Sequence, residues 1–434
     1  MQIPAEQPFV PVITGGDVGA YSWAREFHEA FGVVSAVVPT GLNRNLKHSR
    51  ILDSFPAGVM TDEQTTIRAL VDVAERLTDS GANPRPLVLL ASYDHVVQAV
   101  LRHREELERW YVIPFPDRAT VDAVADKESF AAICRRLGIP HPRETRLSMA
   151  EHDPARTEQI VAEALEELGA DFPLILKAAD SWVWAQTTFS GRRKVHRVDD
   201  AAQLGGLLDA AAGAGFDDVF LLQELIPGPD SQMRVGSYFR DAEGRTRLRA
   251  VGEVILEDHA PGLEGNSLAI LTSQDPRIDE HAEAFLEEVD WHGFAMFDVK
   301  IDPRDGTPQF FEMNPRLGRN HSYLTAGGVN PAELIVQQYL AGILDAAALA
   351  GTGVELPGEL PETTRPDALH TTVPLSLVRR FADADQRARV DAAARAGAVR
   401  FPFRYRSDSD PRKRAYHAAV LLKSLRDARQ HPPE

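Results

Sequence analysis

Gly293-Phe294-Ala295-Met296-Phe297-Asp298-Val299-Lys300-Ile301 runs into the turn-rich Asp302-Pro303-Arg304-Asp305-Gly306 and on to Gln309-Phe310-Phe311-Glu312-Met313-Asn314-Pro315-Arg316. Apolar and polar residues alternate on both flanks of the turn, the pattern of an antiparallel hairpin within a buried sheet. Side chains alternate between faces, so Met296, Asp298 and Lys300 share one face, and Glu312 and Asn314 share a face of the partner strand. A turn centred near Asp305 sets Asp298 opposite Glu312. Two carboxylates opposed across a ladder repel, which asks for a cation between them. Mg²⁺ takes hard oxygen ligands and combines one or two carboxylates with phosphate oxygens. Asp298, Glu312 and the Asn314 amide oxygen form such a set, with Mn²⁺ the alternative ion and Arg316 placed to meet an anion just beyond. The plainer alternative is an exposed hairpin with a solvated acidic face, and the interleaved apolar residues argue against it.

The chain is 434 residues long, room for two or three domains. Its net charge of −17 argues against broad nucleic-acid binding, which relies on clustered Lys and Arg. A single cysteine, Cys134, excludes an internal disulfide. The first residues lack a basic segment followed by an apolar one, and no run approaches the roughly 20 apolar residues of a membrane span; no integral membrane segment is expected, and the cytoplasm is the expected compartment. Seven lysines stand against 40 arginines, so a Lys at an internal strand position marks itself out.

Residues 9–14, the glycine turn Gly15-Gly16-Asp17-Val18-Gly19, a helical pattern over 21–31 and the apolar run 33–38 read as a βαβ unit of an open parallel sheet. The glycines do not fit the dinucleotide fingerprint G-x-G-x-x-G; they form the turn or let backbone approach a ligand. Residues 86–91 read as a second buried strand, ending at Ser92-Tyr93-Asp94. Ligands of such sheets bind beyond the carboxyl ends of the strands, which points to Asp17 and Asp94, with Tyr21, Ser22 and Arg25 as further substrate-side candidates. Lys177 interrupts the apolar strand 172–178, and an ammonium there is costly unless an anion is near. Hairpin-like alternation over 232–239 and 247–256 leaves Arg234 and Arg249 available for anions.

The hairpin, with Asp on one strand and Glu312-Met313-Asn314-Pro315-Arg316 on the next, resembles the ATP-grasp superfamily. Its continuation, Leu317-Gly318-Arg319-Asn320-His321-Ser322-Tyr323, is most similar to the carboxylate-amine ligase branch that contains D-aspartate ligases. The resemblance covers roughly residues 10–345. It implies a mixed α/β and α+β chain with the ATP-grasp fold: an N-terminal open parallel α/β domain (1–115), an ATP-grasp N-terminal lobe (116–228), an antiparallel C-terminal lobe with the metal hairpin (229–345), and a basic C-terminal extension (346–434). It further implies that Lys127, in the order Asp126-Lys127, helix, Gly138-Ile139-Pro140-His141-Pro142, and Lys177 reach nucleotide phosphate. Gln223, Glu224, Ile226 and Asp230 hold adenine and ribose; Met296, on the face of Asp298, is either a core residue or packs beneath the base. Asp298, Glu312 and Asn314 take the metal; Arg316, Lys177 and Arg249 are the catalytic candidates.

The family's glycine-rich loop is absent. Residues 181–192 hold one glycine and three aromatic residues, so hydroxyls or Arg192 and Arg193 are expected to substitute.

Patterns for a P-loop, an H-E-x-x-H zinc site and a G-x-S-x-G nucleophile elbow are missing, and Cys134 reads as structural. The function implied by the resemblance is ATP-dependent amide formation through an acyl phosphate, from an amino-acid carboxylate and an amine acceptor such as a peptidoglycan precursor side chain. A peptide or natural-product ligase and a non-catalytic ATP-binding regulatory protein are the alternatives, and a homo-oligomer stays open. The basic tail (Arg379, Arg380, Arg387, Arg389, Arg400, Arg404, Arg406, Arg412, Lys413, Arg414) is a solvated face or a platform for an anionic substrate.

Overall fold

The computed structural model describes residues 3–432 apart from 40, 42–45, 59–61, 151, 261–262, 264 and 345–348, and leaves out the side chains of 181, 182 and 185. The domain boundary expected at 345/346 and the Trp182 side chain therefore lie outside the described residues.

β1 (Val10–Thr14) is wholly buried and runs parallel to β2 (Ser35–Val38) on one side and to β4 (Leu87–Leu90) on the other. β3 (Leu52–Ser54) and β5 (Tyr111–Val112) complete a parallel sheet of order β3-β2-β1-β4-β5. The expected βαβ unit is there. Asp17 accepts the Ala20 N–H at 3.1 Å and starts the helix Val18–Phe31, which Gly32 ends in the left-handed conformation. The chain leaves β1 toward β2 and later returns to β4, so the order reverses between β1 and β4, where open sheets present ligand crevices.

A second sheet, antiparallel and of order β6-β9-β7-β8, joins β6 (Glu144–Ser148), β7 (Leu174–Ala178), β8 (Val195–Val198) and β9 (Val219–Glu224). Strand β7 alternates buried and half-buried residues, because one face packs on the helices Thr157–Leu168 and Ala201–Gly213 and the other, carrying Lys177, faces a cleft.

The third sheet runs β14-β13-β10-β11-β12-β15-β16. Its long strands are β10 (Met233–Arg240), β11 (Thr246–Asp258), β12 (Asn266–Ser273), β13 (Gly293–Ile301) and β14 (Pro308–Asn314). The helix Pro276–Glu288 covers one face through Ile278, Phe285 and Leu286, packed on Tyr238, Phe297 and Phe310. The other face packs Phe294 and Met296 against Trp23 and Phe27 of the first domain.

The C-terminal residues expected to form a separate extension enter this sheet. β15 (Leu369–Thr371) pairs with β12 and β16 (Val399–Arg400) with β15, while Val373, Leu377, Val378 and Val390 build a small core on Ile255 and Leu271.

Candidate functional site

The hairpin forms with the register read from its turn: Asp298 lies opposite Glu312 and Met296 opposite Asn314. Beyond that point the register shifts, Val299 pairing with Phe310, so Phe311 is an extra residue in β14. Such a bulge re-aims the neighbouring side chain, and here it sets carboxylate against carboxylate. Burial and the facing Glu312 push the Asp298 carboxyl well above the ordinary range, whereas Glu312, despite its burial, is held low by Lys127 and Lys177. The Asn314 amide N–H donates to Asp298 at 3.4 Å, which ties the amide to the facing acids and leaves its oxygen free to act as a third donor. Among the described residues no group of three His, Cys, Asp or Glu is arranged to hold a metal by itself. Two carboxylates and an amide suit an ion that draws its other ligands from phosphate and water.

Across the cleft Lys177 donates to the Gln223 amide oxygen at 3.2 Å, and Lys127 to the carbonyls of Ala178 and Ala179 at 3.4 and 3.5 Å. Burial, reinforced by Lys127, lowers the Lys177 ammonium to about 8. Lys194, at the start of β8 beside Val195, the partner of Lys177, adds a third positive charge felt at Lys177, Glu257 and Glu312. None of the three lysines has an ion-paired carboxylate among the described residues, in a chain whose acids outnumber its bases 64 to 47. Unbalanced ammonium groups around one cleft are a site for a polyanion.

The linker between the lobes places Gln223 and Ile226, both buried, beside this cleft. The Glu224 carboxylate is taken by Arg143 and Arg304, at 3.1 and 2.9 Å, leaving its backbone for recognition. Asp230 accepts from the Glu257 N–H at 2.8 Å and pairs with His259 at 2.9 Å. Glu257, half-buried and raised to about 7 by burial and by Asp230, adds a further carboxylate charge that acts on Asp298. Val195, an apolar side chain opposite Lys177 in the sheet, is left 40% exposed.

Sequence reasoning passed over Lys194, Glu257 and Val195. The scarcity of lysine was the signal for the first, and also for Lys300, which donates to the Gly228 carbonyl at 2.9 Å.

Several expected residues lie elsewhere. Arg249 is on β11 but eight residues from Glu257, roughly 26 Å along a strand, and its guanidinium is ion-paired with Glu283 of the helix Pro276–Glu288. Met296 is buried against Gly318, whose N–H meets its sulfur at 3.2 Å, and lies four residues along β13 from the linker-bound Lys300. It packs between domains, because the strand carries it past the metal set. Arg192 stacks over the buried Trp184 ring and donates to the Trp184 carbonyl at 3.1 Å, so that residue braces the aromatic loop. Tyr21 donates to Asp408 at 2.7 Å and Arg25 to the carbonyls of Phe401 and Pro402 at 2.8 Å, while Ser22 is fully buried; this helix face seats the C-terminal segment, leaving no room for substrate.

The tail arginines are largely spent internally: Arg379 on Asp391, Arg389 on Asp367 and Glu253, Arg400 on Glu29. Cys134 is buried and its thiol is pushed up to about 12, which leaves it inert.

Arg316 lies two residues past the end of β14. It donates to Asp94 at 2.8 Å and is among the groups acting on Asp298, so it joins the metal set to the edge of the parallel sheet. Asp17 and Asp94 line that edge.

No family model matches the chain. It is 29% identical over 333 residues to D-aspartate ligase of Enterococcus faecium (strain Aus0004), covering 76% of each protein. Among solved structures it is similar to the biotin carboxylase–β,γ-ATP complex from Campylobacter jejuni, with a TM-score of 0.58 and 17% identity over 84% of this chain and 75% of that one. An L-amino acid ligase from Bacillus licheniformis follows at a TM-score of 0.51 and 15% identity, over 77% and 75% of the two chains. These neighbours carry the ATP-grasp fold, as the hairpin resemblance implied. No helix among the described residues is long and apolar enough to cross a membrane.

Proposed function

Starting from a D-aspartate ligase homologue with the ATP-grasp fold, we propose an ATP-dependent carboxylate-amine ligase that takes D-aspartate or a related amino acid and a peptide amine, works with Mg²⁺ or Mn²⁺, and acts in the cytoplasm. The observation that carries this reading is the charge imbalance of the cleft: opposed acids, Asp298 and Glu312, facing ammonium groups that make no ion pair with a carboxylate among the described residues. A metal-bound triphosphate neutralises both sides at once.

In the first step a carboxylate oxygen of the substrate takes the terminal phosphoryl group, forming one P–O bond as the bond to ADP breaks. The amine then attacks the acyl carbon; the C–N bond forms, the C–O bond to phosphate breaks, phosphate leaves with the electron pair, and the amine proton passes to solvent. Phosphoryl transfer needs positioning and charge neutralisation above all. Lys127, Lys177 and Lys194 hold the phosphates, Gln223 and the linker from Glu224 to Asp230 hold the base and ribose, and Val195 supports the ring. Asp298, Glu312 and Asn314 would hold the metal, which would supply Lewis-acid stabilisation of the transferring group. Arg316 orients the carboxylate against the cleft. No nucleophilic side chain is required.

The test is ADP release against a panel of D- and L-amino acids, with and without amines. Release that depends on a carboxylate supports the ligase; nucleotide binding without any carboxylate-dependent release would leave a non-catalytic ATP-binding protein.

A further inference from the structure

At the reversal point between β1 and β4 two loops form a rim carrying Asp17 from one side and Tyr93 and Asp94 from the other. Close approach holds the rim together. Gly15 has φ +106°, and a side chain there would meet Ser92 and Tyr93 at 3.1–3.3 Å. A Cβ on Gly19 would come within 2.8 Å of the Arg319 Cα, so the loop after β14 lies directly on the start of the helix Val18–Phe31.

That loop brings two guanidinium groups three residues apart. Arg316 bonds Asp94, while its Nε is buried and has no hydrogen-bond partner among the described residues. The Arg319 Nε stands 3.9 Å from Asp17 Oδ2, a loose contact; Asp17 Oδ1 caps the helix. The Tyr93 phenol is pushed up by burial and by Asp17, with Arg319 and Arg316 pulling it back, so all four groups act on one crevice. Of the two arginines, Arg316 is the one whose charge also acts on Asp298. Two cations and two anions line the crevice, and a ligand that replaces their contacts in kind carries two carboxylates and an ammonium.

We propose that Arg319 selects an α-amino dicarboxylic acid. One carboxylate lies by Arg316 at the phosphoryl end and is the one activated; the second pairs with Arg319; the ammonium takes Asp17 and Asp94. This rests on the ligase reading and deepens it by assigning the acid pocket. A monocarboxylic amino acid, or the neutral amide of the dicarboxylic one, leaves Arg319 with Asp17 alone, and a site built for a charged partner rejects an analogue that lacks it.

Arg319 is partly exposed, so Arg319→Met and Arg319→Lys are expected to fold. Aspartate, asparagine and alanine, each as both enantiomers, are compared by calorimetric titration and by carboxylate-dependent ADP release. The wild type is expected to prefer aspartate to asparagine by about tenfold or more. Arg319→Met is expected to bring that ratio near one through a higher aspartate KM with MgATP affinity unchanged, and Arg319→Lys to recover part of it. Aspartate preference unaltered in Arg319→Met, or a wild type that binds asparagine or alanine as well as aspartate, overturns the assignment. Aspartate bound through Arg319 without any ADP release would sink the ligase reading and keep the pocket; ADP release indifferent to Arg319 would do the reverse.

Discussion

The nucleotide cleft and the seat of the C-terminal helix, Pro411–Gln430, both bury charge and treat it in opposite ways. At the seat, buried Asp408 accepts from the Tyr21 hydroxyl at 2.7 Å, the Ser49 hydroxyl at 2.9 Å, the Arg50 N–H at 2.6 Å and the Lys413 ammonium, which also sits 3.9 Å over the Tyr21 ring. Each charge there is met by side chains of the same molecule. In the cleft Asp298 faces Glu312, and Lys127, Lys177 and Lys194 meet no ion-paired carboxylate among the described residues. Charge balanced in place ties segments together, and charge left unbalanced awaits a ligand of opposite sign.

The sharpest break in this contrast comes from Asp298→Asn. It removes the repulsion between the two facing acids and one of the proposed metal ligands. Carboxylate-dependent ADP release is expected to fall about 10³-fold or more, while the melting temperature of the nucleotide-free protein stays level or rises. A calorimetric melt beside an ADP assay reads both. Asp408→Ala should do the opposite. Leaving Lys413 buried and unpaired costs about 3–5 kcal/mol, visible as a lower denaturant midpoint, with MgATP affinity unchanged wherever the protein remains folded.

Smaller effects sharpen the same contrast. Burial and the neighbouring Lys127 bring the Lys177 ammonium down to about 8, and only its ammonium form attracts phosphate. Nucleotide affinity is therefore full below about pH 8 and declines above it, by up to about tenfold per pH unit until the bound-state value is reached. Titration calorimetry from pH 7 to 9.5 follows this, and Lys177→Arg is expected to flatten the curve. Lys194→Ala, at the cleft mouth, should weaken MgATP binding by a few-fold at low salt, with the loss shrinking as salt screens the charge.

How much of this could be read in advance follows from the range of each interaction. The hairpin was legible from its turn and its alternation, yet the bulge at Phe311, which brings Asp298 opposite Glu312, was not recognised, because alternation continues on both sides of it. Lys177 stood out as a charge in an apolar strand, whereas Lys194 hid beside Arg192 and Arg193. Strand period gives the face of a residue but not where along the sheet it meets another element, so Arg249 and Met296 were assigned to a cleft they do not reach. Tyr21 and Arg25 were read as substrate-side because their partners, Asp408 and Phe401, lie almost 400 residues away in the chain.

The central claim is that the opposed acids and unpaired lysines await a metal-bound nucleotide used to activate a carboxylate. The most direct measurement is ADP release by wild type and Asp298→Asn side by side, with Mg²⁺, ATP, an amine and each amino acid in turn. The account predicts release by the wild type only when a carboxylate is present, and almost none from the equally folded variant. Equal release from both, or no acid-dependent release from the wild type with any pair of substrates, would contradict it.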